Sequence, residues 1–418
     1  MNKEKTLLKF AIIGNIDDGK SSLIGRLLLD SKAIYDDQLE VLEKISTEQG
    51  YKNLNYALLT DGLKSEREQG ITIDIAYRYF STQKRKFIII DCPGHFQYTH
   101  NTFTGLSGVN TAILLIDASK GIQEQTKRHT FLCSLLEIKH LIVCINKMDL
   151  VNYSQEIYEK IKSEFIIYTK TLNIKQIDFI PTSTLNGDNL INHSDKTLWY
   201  QGKDLMYLLE NININNSNLN LANLRFPIQN ILHINTSGAN NYRAYTGKIE
   251  SGTIKVGDSV TLLPSGFNTQ IKSINFAEKS LEQAYAGMSI SIQLNDELDV
   301  SVGNMIIKTN TSINISQNIE LLLYSVSSMP IKKHNKYILK HITQNTKCII
   351  QQIDYKININ SLQNDYQENT LNNNDIGKIT LHTSEPLLFD SYKQNKNTGS
   401  LILIDEITNN TIAAGIIL

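Results

Sequence analysis

The chain has 418 residues, 41% of them hydrophobic, and a net charge of −1. That is too long for one ordinary domain and enough for two or three packed cores, and the charge balance lacks the basic excess of a chain built to wrap nucleic acid. The four scattered cysteines Cys92, Cys133, Cys144 and Cys348 form no Cys-x-x-Cys pair and read as reduced core thiols; no apolar run reaches the roughly 18 residues of a membrane span, and the N-terminus has no signal-peptide pattern, so a soluble, cytoplasmic protein is expected.

The first predicted element is a strand over Leu7–Ile13. It runs into Gly14-Asn15-Ile16-Asp17-Asp18-Gly19-Lys20-Ser21, then Ser22, with a predicted helix over Lys20–Leu29. This is Walker A spacing in Walker A context. Glycines let backbone N–H groups turn onto phosphate oxygens, and a helix N-terminus adds its positive dipole end. Lys20 places a cation between β- and γ-phosphate, and Ser21 offers a hydroxyl to Mg²⁺. Average composition produces this pattern by accident in roughly one chain in a hundred, so it does not stand alone.

Further along lies Glu68-Gln69-Gly70-Ile71-Thr72-Ile73. Thr72 is placed to give Mg²⁺ a second hydroxyl when a γ-phosphate is present, which would make the segment a switch; the plainer reading is the start of a strand. A strand over Phe87–Ile90 leads into Asp91-Cys92-Pro93-Gly94-His95. An aspartate at the carboxyl end of a buried strand suits the Mg²⁺ shell, and Gly94 suits close backbone approach to the γ-phosphate. A strand over Thr111–Ile116 and a helix over Gln123–Glu137 follow.

The strand His140–Ile145 ends in Asn146-Lys147-Met148-Asp149. Guanine presents N1–H and an N2 amino group side by side, and the Asp149 carboxylate can accept both. Adenine presents an acceptor there, so GTP is expected rather than ATP. Lys147 is expected to lay its stem along the base. After a helix over Gln155–Tyr168 and a strand over Ile177–Ile180, Ser183-Thr184-Leu185 is the candidate for closing the base pocket through a backbone N–H. Continuous Ile/Leu/Val strands alternating with helices predict an α/β domain with a doubly wound, mostly parallel sheet.

Asn211–Asn223 is polar and repetitive and reads as a linker. Beyond Leu224 the segments are short and alternating, with turns at Ser251-Gly252, Val256-Gly257-Asp258 and Pro264-Ser265-Gly266, the texture of small all-β barrels. A second such block begins near Ile313. The expected domains are 1–223, 224–312 and 313–418.

With the motifs in place, Asp91–His95 and Gly70–Ile73 resemble the translational GTPase superfamily. The resemblance implies that His95 orients the attacking water, with Lys20 and Thr72 as its catalytic companions. A narrower resemblance covers nearly the whole chain. It is carried by Asp17-Asp18, Leu59–Phe80, Thr126-Lys127-Arg128-His129, Tyr242–Gly247, Leu263–Gly266, Asn374–Gly377 and Pro386–Asp390. These are similar to the GTPase subunits of bacterial sulfate adenylyltransferase. That likeness implies a heterodimer with sulfate adenylyltransferase subunit 2, in which GTP hydrolysis here drives ATP + sulfate → adenylylsulfate + diphosphate there. It also implies GTP and Mg²⁺ as cofactors, the metal held by Ser21, Thr72 and Asp91; the charge balance and the lack of a long apolar run add the expectation of no nucleic-acid or membrane partner. No Ser-Gly-Gly-x-Asp-Ser pyrophosphate loop is present, so adenylyl transfer falls to the partner. The chain departs from the pattern at Cys92, Phe96, His100, Thr102, Phe103, Leu106 and Lys396; Phe96 and His100 stand where an acid and an arginine are expected. Two other readings stay open: a translation factor carrying aminoacyl-tRNA, and a scaffold subunit with little hydrolysis.

Overall fold

The computed structural model describes residues 5–33, 72–213, 222–235 and 241–418. The Leu59–Ile71 part of the switch resemblance and residues 214–221 of the expected linker lie outside the described residues. The chain divides into two compact units, Met1–Ile214 with Ile359–Ser361, and Asn215–Asn358 with Leu362–Leu418.

The first unit is built on six strands, β1 (Thr6–Gly14), β2 (Ala76–Ser81), β3 (Arg85–Asp91), β4 (Thr111–Asp117), β5 (His140–Asn146) and β6 (Gln176–Pro181), in the order β2-β3-β1-β4-β5-β6. All neighbours are parallel except β2, which runs antiparallel to β3 at the edge. This is the predicted doubly wound sheet. β4 and β5 are buried at every position, which explains why their sequences do not alternate. β2 was not among the predicted strands. As an edge it is covered on one side only, leaving Tyr77 and Tyr79 exposed, and it offers no continuous apolar run to read.

The helices are α1 (Lys20–Asp30), α2 (Thr99–Ser107), α3 (Glu124–Leu135), α4 (Gln155–Thr169) and α5 (Leu205–Asn211). Leu23 and Leu27 of α1 join Leu205 and Leu209 of α5 over Phe10, Ile12, Phe87 and Ile89 of the sheet, all fully or nearly fully buried. Each such side chain contributes about 1.5–3 kcal/mol. α5 occupies chain just before the expected linker; Asp204 caps it, accepting the Tyr207 N–H at 2.7 Å. Among the described residues no helix is long and apolar enough to cross a membrane.

The second unit is all β. Eight of the strands between Phe226 and Lys308 form one antiparallel sheet, and Thr253–Lys255 pairs with Gln283–Tyr285 in a separate two-stranded one. Seven of those between Asn314 and Ile417 form a sheet that closes on itself, because Lys336–His341 pairs with both Gln344–Asn358 and Ser400–Ile404; Ile331–Lys332 pairs apart with Thr370–Leu371. Each has its own apolar core. Within this unit Arg225 is buried. Its guanidinium donates twice to Asp390 at 2.8 Å, and also to the Leu224 and Ser312 carbonyls, so the buried charge is paired and its donors are used. The finer division at 223/224 and 312/313 remains our proposal.

Candidate functional site

The carboxyl ends of β1, β3, β4 and β5 lie where the strand order reverses around β1, the place at which open α/β sheets hold ligands. β1 ends at Gly14 and the chain turns through Asn15–Gly19 into α1. Gly19 is the helix N-cap with φ 97°, no side chain caps the first turn, and no acid occupies it. The orphan N–H groups of that turn are therefore free for an anion. A Cβ at Gly19 would also run into the Asn146 side-chain amide, so glycine is required twice over.

A cavity of about 470 Å³ opens here, lined by Ile16, Asp17, Gly19, Lys20, Ser21, Ser22, Thr72, Gly94, His95 and Lys147. These come from four separate motifs. Lys20 is buried, and its ammonium donates to the Gly14 and Asn15 carbonyls at 3.1 and 2.8 Å; burial lowers its pKa, against the pull of Asp18 and Asp91. Gly94 packs so closely on Lys20 Nζ and the Gly14 carbonyl that no side chain fits. Asn101 of α2 donates to the Ile73 carbonyl at 2.8 Å, tying down the chain beside Thr72. His95 caps a single 3₁₀ turn, Phe96–Tyr98, with Nδ1 accepting the Gln97 N–H at 3.2 Å.

Asn146 is fully buried and does not line the cavity. Its amide donates to the Asp18 carbonyl at 2.7 Å and to Thr184 Oγ1 at 3.2 Å, while its oxygen accepts the Thr184 N–H at 3.0 Å. It fastens the P-loop to the Ser183–Leu185 loop. Asp149 accepts the Ser183 hydroxyl at 2.6 Å. Leu185 is exposed, whereas Ser183 and Thr184 are buried.

Three members of the nucleotide motifs turn their side chains to the interior, among them Cys92, read above as a core thiol. Met148 and Cys92 are completely buried. Asp18, 2% exposed, turns back to accept the Asn15 N–H at 2.7 Å. All four cysteines are buried, and burial raises their thiols, Cys144 and Cys348 to about 12; none is a thiolate nucleophile at neutral pH.

Sequence reasoning missed Asp117. It ends β4 beside Asn146 of β5, is 2% exposed, and pairs with Lys147 Nζ at 2.8 Å. Ser119 donates to it from both N–H and hydroxyl at 2.9 and 2.6 Å. Burial opposes its charge, but Lys147 and Ser119 outweigh burial and hold its pKa below the usual range. Lys147 is thus anchored at its tip, leaving its stem to flank the cavity. The signal was available: Asp117 is a polar residue at the carboxyl end of a buried strand, like Asp91 and Asn146. Gln123 was missed as well; its carbonyl oxygen accepts from the Asn15 amide.

The departures at Thr102, Phe103 and Leu106 are accommodated. Thr102 donates to the Pro93 carbonyl at 2.8 Å, and Phe103 and Leu106 fill the core.

Asp18 carries a pH signature. Burial is the main cause that raises its pKa from 3.8 to about 6. The folded chain keeps this proton up to about pH 6, and the unfolded chain loses it near pH 4. The stability it contributes is complete below pH 4 and is lost as pH rises through 6. Asp18→Asn should therefore raise the melting temperature of the nucleotide-free protein at pH 7.5, by an amount corresponding to at most about 3 kcal/mol. An equal gain at pH 4 would contradict this account.

The donor set suits a hard cation. Ser21 and Thr72 line the cavity and Asp91 is buried close to Lys20, matching the one or two carboxylates plus phosphate and water that Mg²⁺ prefers.

The family model described as "Elongation factor Tu GTP binding domain" matches residues 5–242, and one described as "GTP-eEF1A C-terminal domain-like" matches residues 318–418. The chain is similar to sulfate adenylyltransferase subunit 1 of Aliarcobacter butzleri (strain RM4018), 46% identical over 100% of this chain and 88% of the relative. It is similarly close to the protein of the same name from Alteromonas mediterranea, 45% identical over the same shares. Among solved structures, the S. cerevisiae Ski7 GTPase-like domain bound to GTP covers 99% of this chain and 98% of its own, with a TM-score of 0.55 and 19% identity, a likeness of fold.

Proposed function

Because the chain belongs to the sulfate adenylyltransferase subunit 1 family, we propose that it hydrolyses GTP and couples that hydrolysis to adenylylsulfate formation on a separate catalytic subunit, sulfate adenylyltransferase subunit 2. The observation that carries this reading is the cavity in which the P-loop, Thr72, Gly94–His95 and Lys147 meet.

The P-loop amides and Lys20 bind the phosphates, and the buried ammonium gains most when the transferring phosphoryl group builds up charge. Asp149, steadied by Ser183, takes the guanine edge, and Lys147, anchored on Asp117, flanks the ring. Ser21, Thr72 and Asp91 would hold Mg²⁺, which when bound neutralises charge on the phosphates. Since His95 Nδ1 accepts the Gln97 N–H, its neutral ring carries the proton on Nε2. It therefore acts as a donor that orients the attacking water, and the water's proton goes to a phosphate oxygen rather than to the imidazole. Thr72 ties the switch to the presence of γ-phosphate. The Asp91 strand end and Asn101 relay that state to α2.

The test is to co-express the chain with the catalytic subunit, isolate the complex, and measure adenylylsulfate from ATP and sulfate with and without GTP. Synthesis should rise severalfold with GTP and fall when GTP is replaced by a non-hydrolysable analogue. A complex that makes adenylylsulfate equally in both would support the scaffold reading. Failure to associate would overturn the assignment.

A further inference from the structure

Phe96 follows His95 directly and is 46% exposed, yet the guanidinium of Arg128 lies over its ring, 4.7 Å from the centroid. Arg128 is itself nearly buried, its side chain 9% exposed, and Glu124 one helical turn earlier pairs with it at 3.2 Å. The same helix grips the turn a second time. Thr99 Oγ1 donates to the Phe96 carbonyl at 2.7 Å, and Gln125 Nε2 of α3 donates to Thr99 Oγ1 at 3.3 Å. Gln125 and Arg128 are three residues apart and share a face of α3. Gln123, at the start of α3, is bonded to Asn15 of the P-loop. One rigid helix thus fixes the His95 turn relative to the phosphate loop.

We propose that Arg128, acting through the face of Phe96, is a positioning residue for His95. The inference rests on the GTPase reading above. Phe96 stands where an acid is expected, and an acid would meet Arg128 as an ion pair. Here the ring quadrupole meets the cation instead. The stack holds the Phe96–Tyr98 turn, and with it the Gln97 N–H that sets the tautomer and direction of the His95 ring. A ring–cation contact is less screened by salt than an exposed ion pair, so the alignment should survive high ionic strength.

The experiment measures GTP turnover at saturating nucleotide in the assembled enzyme, with GDP affinity measured in parallel. Arg128→Ala and Phe96→Leu should each lower kcat by roughly tenfold, leaving the GDP dissociation constant within about twofold. Phe96→Trp, which keeps a ring face, should retain the rate, whereas Phe96→Leu, which keeps only apolar bulk, should not. The double variant Arg128→Ala/Phe96→Leu should be no slower than the slower single, the mark of one shared interaction. Unchanged kcat in Phe96→Leu, equal loss in Phe96→Trp, or losses that multiply would overturn the proposal. The leucine–tryptophan comparison decides the matter even if Arg128→Ala fails to fold. His95→Ala is the reference: if it retains full turnover, the role given to His95 fails first, and a slow His95→Ala beside a fast Phe96→Leu isolates the failure to the clamp.

Discussion

Asp149→Asn is expected to exchange guanine for xanthine selectivity. In the structure Ser183, fully buried, donates its hydroxyl to one oxygen of the Asp149 carboxylate at 2.6 Å. Replace the carboxylate by an amide and that hydroxyl selects the amide oxygen, because only an oxygen can accept it. The NH₂ group is then turned to the remaining position, facing the purine. Guanine N2 is a donor and would meet another donor there; xanthine O2 is an acceptor and would be satisfied. One charge-assisted pair is lost and one donor is left unpaired, so GTP affinity should fall by about 10³-fold or more while XTP binds. Titration of both nucleotides with a fluorescent analogue reads this directly. A variant that keeps its preference for GTP would mean that Asp149 does not meet the base edge. Ser183→Ala is the companion change, with a smaller loss of GTP affinity and no gain for XTP.

Most of the lining of the candidate cavity was legible because its chemistry is local. The P-loop, Asp91–His95 and Asn146–Asp149 each follow a buried strand, and a continuous apolar run followed by a glycine, an aspartate or an asparagine can be recognised from one stretch of chain. What could not be read were the partners that meet only across the fold. Asp117 anchors Lys147 from a neighbouring strand, Gln123 reaches Asn15 across more than a hundred residues, and Arg128 covers Phe96 from α3. Side-chain direction was equally hidden. Asp18 and Met148 belong to their motifs, but a motif does not say which of its side chains face inward; the sheet and its helices decide that. β2 escaped because an edge strand carries exposed tyrosines where a central strand carries isoleucine.

His95→Ala should slow GTP hydrolysis by about 10²–10⁴-fold and leave nucleotide binding nearly intact. The reasoning turns on what His95 touches. It lines the cavity, but in the proposed arrangement Lys20 and the first turn of α1 anchor the phosphates, and Lys147 and Asp149 after β5 with the loop after β6 meet the base. None of these passes through the imidazole. Its Nδ1 accepts the Gln97 N–H, which leaves Nε2 as the working end. Loss of that donor removes the orientation of the water in the transition state and little else, so kcat falls while KM holds. His95→Gln distinguishes a donor from a base: a glutamine amide can orient water but cannot take a proton at neutral pH. Partial recovery of turnover in His95→Gln over His95→Ala would support orientation, equal loss in both would require the imidazole to carry a proton, and full turnover in His95→Ala would remove His95 from the mechanism.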